Sequence, residues 1–285
     1  MTDQAAPPAP DVDTSAIREI AKGVFVILDH RVPLVPNIGI VLGEKAALVM
    51  SIAASVLAAM ALAVLTEKVA FRQLRQADAF EGVAKIIYNK AQADEFADKG
   101  QPYLDMFKGM GPAVATALAD TTLVPADELY DGAEHTIDLG GRTAVLRTWG
   151  KAHTRGDQIV YIPDCQVLFT GDLAEEKTFP IFPWFPPHDM DIDGANWLKV
   201  LDDCLTLKPT VVVPGHGEIG DATILSDVRD YIADVAARAK QAAANGKSED
   251  EMIAELGPAI KAAHPAWHFP EWIDFAIRYF HARQA

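Results

Sequence analysis

The hydrophobic positions of this chain change period along its length, and each change predicts an element. Ile17–Asp29 and Asn37–Leu42 alternate or run apolar in the manner of strands, with a Pro-containing turn around Val32–Pro36 between them. An antiparallel pair is expected there. From Ala46 to Leu65 no charged residue occurs, a length that fits a membrane span as well as a buried strand followed by a helix. Much of that run is alanine, which gains little from lipid, and ordinary globular sequence continues on both sides. The strand-plus-helix reading is therefore taken.

Val83–Tyr88 predicts a further strand, and Ala91–Asp98 and Tyr103–Leu118 predict helices, the second interrupted at Gly111-Pro112. Thr136–Asp138 and Arg142–Thr148 flank Gly140-Gly141 as a hairpin. Gln158–Ile162 and Gln166–Phe169 form another pair, turned at Pro163-Asp164. A loop rich in Pro and aromatics, Phe179–Met190, precedes a helix over Gly194–Leu205, and Thr210–Val213 is a short apolar strand. Asp221–Ala244, Glu249–Ala263 and Glu271–Ala282 complete the chain as helices. Strands in both halves, interrupted and followed by helices, predict two sheets with helices outside, an α/β layered sandwich. The expected organisation is a disordered tail over 1–16, one domain over 17–244, and a helical extension over 245–285 packed on that domain.

Composition narrows the partners. The net charge of -15 disfavours nucleic acid, whose binding needs clustered Lys and Arg to release counterions. Cys165 and Cys204 are the two cysteines and lie outside any CxxC, so reduced thiols are expected rather than a disulfide or a thiolate metal site. The start of the chain lacks the basic region and apolar core of a signal peptide, and the expectation is a cytoplasmic protein acting on a small molecule. Neither the substrate nor the oligomeric state follows from composition.

Candidate chemistry is concentrated between Trp149 and Gly217. Three phrases there each follow a strand-like run: Gly150-Lys151-Ala152-His153-Thr154-Arg155-Gly156-Asp157, then Phe169-Thr170-Gly171-Asp172, then Pro214-Gly215-His216-Gly217. Strand ends present chemistry on loops held by a rigid scaffold, so His153, Asp172 and His216 are candidate ligands of a divalent ion such as zinc. The plain alternative is two hydrogen-bonded structural histidines and an ordinary turn carboxylate. The flap Phe179–Pro187, with Phe182, Trp184 and Phe185, either covers the site or packs on the core. His264, Trp267, His268, Phe269 and Trp272 form an aromatic group whose helical spacing favours core over a partner surface.

The phrases "DLGGRTAVLRTWGKAHTRGD", "VLFTGD" and "VVVPGHG", with a strand pair ahead of them, resemble the metallo-β-lactamase superfamily of hydrolases. The resemblance implies a four-layer αββα sandwich with a metal centre where the two sheets meet. It implies that His153 is the third His of one metal site, Asp172 a bridging carboxylate, and His216 a ligand of the second metal. It also implies hydrolysis of an ester, thioester, amide, lactam or phosphodiester bond by water that the ion has made acidic.

The chain departs from that family at one place. Members carry a His-x-His-x-Asp-His loop after the first strand and helix, yet no His occurs here between His30 and His135. The stretch where the motif would fall reads Lys68-Val69-Ala70-Phe71-Arg72-Gln73, and the preceding strand ends Leu48-Val49-Met50-Ser51-Ile52-Ala53 in place of the family's Asp-bearing phrase. A deletion with a local frame shift, or a replacement of the segment, would leave such a patch. Arg72 and Arg75, if they point inward, oppose a cation there; His188, Asp189 or Asp78 could substitute as ligands. With His153, Asp172 and His216 alone, a binuclear centre lacks ligands and one zinc ion is the most the set can hold. The expectation is a hydrolase-like protein with impaired activity, a possible pseudoenzyme; the competing expectation is a non-catalytic small-molecule-binding or interaction protein on the same fold.

Overall fold

The alternation of the first apolar run is broken by a turn at Lys22-Gly23, so that it forms a hairpin of two strands, β1 (Ile17–Ala21) and β2 (Val24–Ile27), rather than one. A computed structural model describes residues 17–28, 37–51, 86–119 and 121–283. β3 (Ile38–Leu42) and β4 (Ala47–Ser51) continue the antiparallel order β1-β2-β3-β4. The predicted pairing of the first two runs is present as β2 against β3, with Ile27 opposite Ile38. The predicted tail, the uncharged run beyond Ser51, the stretch from Lys68 to Gln73, Arg75 and Asp78 lie outside the described residues.

A short parallel pair follows, β5 (Ile87–Asn89) and β6 (Glu128–Tyr130), connected through α1 (Lys90–Gly109) and α2 (Pro112–Ala117). Helix α1 runs through Pro102, where the sequence suggested two separate helices, and the interruption expected at Gly111-Pro112 is present between α1 and α2. The second large sheet has the order β11-β10-β9-β8-β7, from β7 (Glu134–Asp138), β8 (Thr143–Arg147), β9 (Ile159–Ile162), β10 (Val167–Gly171) and β11 (Val211–Pro214). Its β10–β11 pair is parallel, because α3 (Gly194–Thr206) crosses over between them. Every residue of β10 is buried, as expected of a strand covered on both faces.

The two sheets face one another across a core to which the first contributes Val24, Val26, Val41 and Met50 and the second Leu146, Ile162, Val167, Phe169 and Val213. The opposite face of the second sheet, through Ile159, Leu168 and Val212, packs under α3, α4 (Thr223–Ala244), α5 (Glu249–Ala263) and α6 (Trp272–Ala282). Each fully buried aliphatic of these clusters contributes about 1.5–3 kcal/mol. The last two helices share this core: Tyr279 and Phe280 lie 4.9 and 5.4 Å from the Phe182 ring, and the Tyr279 hydroxyl bridges Gly194 and Ile192. Trp267 packs on Phe179 and Tyr231, so this part of the C-terminal aromatic group is core.

The sheets are also joined at both ends of β3. Beyond Leu42, the amides of Glu44, Lys45 and Ala46 donate to the carbonyls of Gly140 and Leu139 in the β7–β8 turn. A Cβ at Gly43 would lie 2.1 Å from the Leu139 oxygen, so this contact requires glycine. Before Ile38, the Asn37 amide group donates to the carbonyls of Pro214 and Gly217, each at 3.0 Å. The second junction is where the candidate ligands lie.

Candidate metal centre

Strand β10 ends at Gly171, and the chain then folds back through a turn closed by the Ala174 amide on the Gly171 carbonyl at 3.3 Å. The turn places Asp172 at its corner and returns Glu175 towards it. Strand β11 ends at Pro214 alongside, and the two turns are laced together by backbone hydrogen bonds. Gly215 donates to the Gly171 and Ala174 carbonyls at 3.0 and 3.2 Å, and Glu176 donates to the His216 carbonyl at 3.0 Å. The Thr170 hydroxyl closes the same region against the carbonyls of Gly171, Ala174 and Val213. Close approach explains one glycine: a Cβ at Gly215 would sit 2.3 Å from Asp172 Oδ1.

This scaffold brings together Asp172, Glu175 and His216, whose potential ligand atoms all lie within 4.8 Å of one another. His216 Nε2 is 3.6 Å from Asp172 Oδ1. Asp172 Oδ1 and Glu175 Oε2 are both buried and neither has a hydrogen-bond partner. Burial, reinforced by the Asp172 charge, pushes the Glu175 carboxyl well above the usual carboxylate range. Glu175 stands in no motif, and sequence reasoning misses it.

His153 comes from the loop after β8 and is held by a different set of contacts. Its ring lies 5.2 Å from that of Trp197, and its Nδ1 is buried without a hydrogen-bond partner. Burial lowers the imidazole pKa, while the charges of Asp172 and then Glu95 oppose that shift, which places His153 in the same electrostatic neighbourhood as the cluster. A neutral imidazole keeps a lone pair for a metal. His153 is nonetheless outside the tight group formed by Asp172, Glu175 and His216.

Three residues to which sequence reasoning gave no role position this loop. The buried Asp157 carboxylate accepts from the amide and hydroxyl of Thr154, and its desolvation raises the carboxyl pKa well above the usual range. Asn196 donates to the carbonyls of Trp149 and Lys151 at 3.1 and 2.7 Å. Glu95, buried on α1, accepts from the Gly156 amide at 2.7 Å and from Lys99, which also pairs with Asp191.

Of the suggested substitute ligands, the described His188 and Asp189 make contacts outside the cluster, although Asp189 Oδ1 is buried without a hydrogen-bond partner. His188 is half-buried against the Phe185 ring at 4.9 Å, and the Asp189 carboxylate accepts from the backbone amides of Trp184 and Phe185. The flap therefore has two attachments: Phe182 is fully buried beside Trp197, while Trp184 and Phe185 pack with Tyr103 and Leu104 of α1. Cys165 and Cys204 are free thiols, and no described helix is long and apolar enough to cross a membrane.

Two facing sheets with helices on an outer face thus form an α/β sandwich that gathers acid and imidazole side chains at adjoining strand ends. Residues 80–216 match the model of the Metallo-beta-lactamase superfamily, the same family that the motifs of the chain resemble. Solved structures share the fold. A stereoselective inverting sec-alkylsulfatase from Pseudomonas sp., Pisa1, has 14% identity and a TM-score of 0.61 over 94% of this chain and 50% of that one. A metallo-beta-lactamase family protein from Thermus thermophilus has 16% identity and a TM-score of 0.57 over 92% of this chain and 93% of that one. The DIM-1 metallo-beta-lactamase has 16% identity and a TM-score of 0.52 over 80% of this chain and 99% of that one. No curated protein matches the sequence.

Proposed function

We propose that this chain is a hydrolase-like protein that keeps the second half of its superfamily's metal centre and holds a single divalent ion, zinc by the chemistry of its donors, through His153, Asp172 and His216. The observation that carries this reading is the set of buried polar atoms without hydrogen-bond partners, His153 Nδ1 and Asp172 Oδ1 among them, beside an imidazole 3.6 Å from that aspartate oxygen. Buried polar groups are ordinarily satisfied, and a cation is the partner that imidazole and carboxylate share. When bound, such an ion polarises a scissile carbonyl and makes its water acidic. Asp172 and His216 would hold the ion on laced turns that cannot move apart, and the Trp197 ring beside His153 keeps that side of the site dry.

Cleavage of an ester, thioester, amide or lactam bond is the ancestral activity, and it is impaired here because no histidine precedes His135 after His30 to complete a second metal position. The same sequence feature favours the second reading, a non-catalytic small-molecule-binding or interaction protein on this fold.

Metal content of the purified protein after dialysis, read with a panel of ester, thioester, amide, lactam and sulfate-ester substrates, tests the proposal. Zinc retained near one equivalent and lost in His216→Ala, with turnover weak or undetected, is the expected result. Absence of any divalent ion in the dialysed protein sinks the metal reading and leaves the non-catalytic one.

A further inference from the structure

We infer that Glu175 is a further ligand of the centre, so that Asp172, Glu175 and His216 form a three-donor pocket in which one divalent cation binds. The inference rests on the single-ion reading above and adds to it a donor from the second half of the chain. The argument is geometric. Asp172 and Glu175 are three positions apart, and the hydrogen bond from Ala174 to Gly171 turns the chain so that their carboxylates meet beside the His216 imidazole. Both side chains are more than nine-tenths buried, Asp172 at 6% exposure and Glu175 at 7%.

Two buried carboxylates this close are costly in water's absence unless a cation or a proton lies between them. A proton shared between Asp172 Oδ1 and Glu175 Oε2 would be a hydrogen bond, and neither oxygen makes one. Among the described residues, no lysine or arginine forms an ion pair with either carboxylate; the cation nearest in sequence, Lys177, pairs with Glu176. A divalent cation supplies the missing partner for both oxygens at once. The donor set of two carboxylate oxygens and one imidazole nitrogen, with His153 Nδ1 also unpartnered nearby, suits zinc or manganese rather than a thiolate-seeking ion. The neighbouring Glu176 is not an equivalent candidate, because its side chain pairs with Lys177 and its amide is committed to the His216 carbonyl.

Calorimetric titration of the full chain, stripped by chelator and titrated with zinc chloride and separately with manganese chloride, tests this with the parent, Glu175→Gln, Glu176→Gln and His216→Ala. The parent is expected to bind one equivalent. Glu175→Gln is expected to weaken that binding on the order of 100-fold, at least the loss typical of a residue that merely supports a ligand. Glu176→Gln is expected to bind like the parent. The metal-free melting temperature of Glu175→Gln is expected to equal or exceed that of the metal-free parent, since the amide keeps the size of the side chain and cannot ionise beside Asp172, while the rise on adding zinc is lost. A parent that binds one ion and a Glu175→Gln form that binds within twofold of it overturn the role of Glu175 and leave the single-ion reading standing. A parent that binds neither ion overturns both. If Glu175→Gln does not fold, Glu175→Asp serves instead: it keeps the charge, withdraws it by one methylene, and is expected to weaken zinc while leaving the metal-free melt near the parent's.

Discussion

Asn37 is the residue on which the turn carrying His216 depends, and replacing it gives a measurable result. Its side chain is 2% exposed, and both hydrogens of its amide are used, one on the Pro214 carbonyl and one on the Gly217 carbonyl, each at 3.0 Å. Its backbone amide donates to Gly215 between them at 2.9 Å. Asn37→Ala removes two hydrogen bonds and leaves two carbonyls facing a small hole. At about 1–2 kcal/mol for each unsatisfied buried group, the expected loss is about 2–4 kcal/mol. Asn37→Asp is nearly the same size but turns a carboxylate towards two carbonyl oxygens, and at neutral pH it is expected to be the less stable variant. Its folded pKa would be raised above the unfolded value of about 3.9, so the destabilisation grows as pH rises above 4 and shrinks as pH falls and the group takes a proton in both states. Urea unfolding followed by tryptophan fluorescence, with an unchanged m-value, reads the loss directly. A result for Asn37→Ala within about 0.5 kcal/mol of the parent, or an Asp variant as stable as the parent at neutral pH, would refute the clamp.

Other consequences follow from the same geometry. Gly215→Ala puts a Cβ 2.3 Å from Asp172 Oδ1, so it is expected to lose about 1–3 kcal/mol of stability and most of its zinc, measured by unfolding and by metal content; full zinc retention would show that Asp172 is not a ligand. Glu95→Ala frees Gly156 and unbalances Lys99, with an expected loss of about 2–4 kcal/mol that leaves the Asp191 pair intact; thermal unfolding checks it, and a shift under about 2 °C would contradict the estimate. The Cys204 thiol is fully buried and pushed up to about 12, chiefly by that burial, so a thiol reagent at pH 8 is expected to label half-buried Cys165 first and Cys204 only in denaturant, as peptide mapping would show. Zinc at a hundred times its dissociation constant is expected to stabilise the stripped protein by about 2.7 kcal/mol, which chelator reverses in a thermal melt.

The sequence by itself determined the class of fold and most of its elements. Strand periodicity in β7 to β11 and helical periodicity in α3 to α6 are strong because each element packs on a large core, and the Gly-flanked phrases at the ends of β8, β10 and β11 marked His153, Asp172 and His216 as candidates. It also determined that no histidine stands between His30 and His135, a fact of composition that no folding can alter. Local signals failed where one residue decided the path: the first run bends at Lys22-Gly23, and α1 passes through Pro102, which occupies an interior helical position without stopping the chain. What only the tertiary structure decided is who meets whom. Glu175 and Glu176 read alike in the sequence, and the turn closed on Gly171 is what sends the first to Asp172 and leaves the second with Lys177. Asn37, Glu95, Asp157 and Asn196 likewise gave no sign of their roles. Each acts through hydrogen bonds to loop backbone, and most of those partners lie far off along the chain, so that they become neighbours only when the two sheets close on one another.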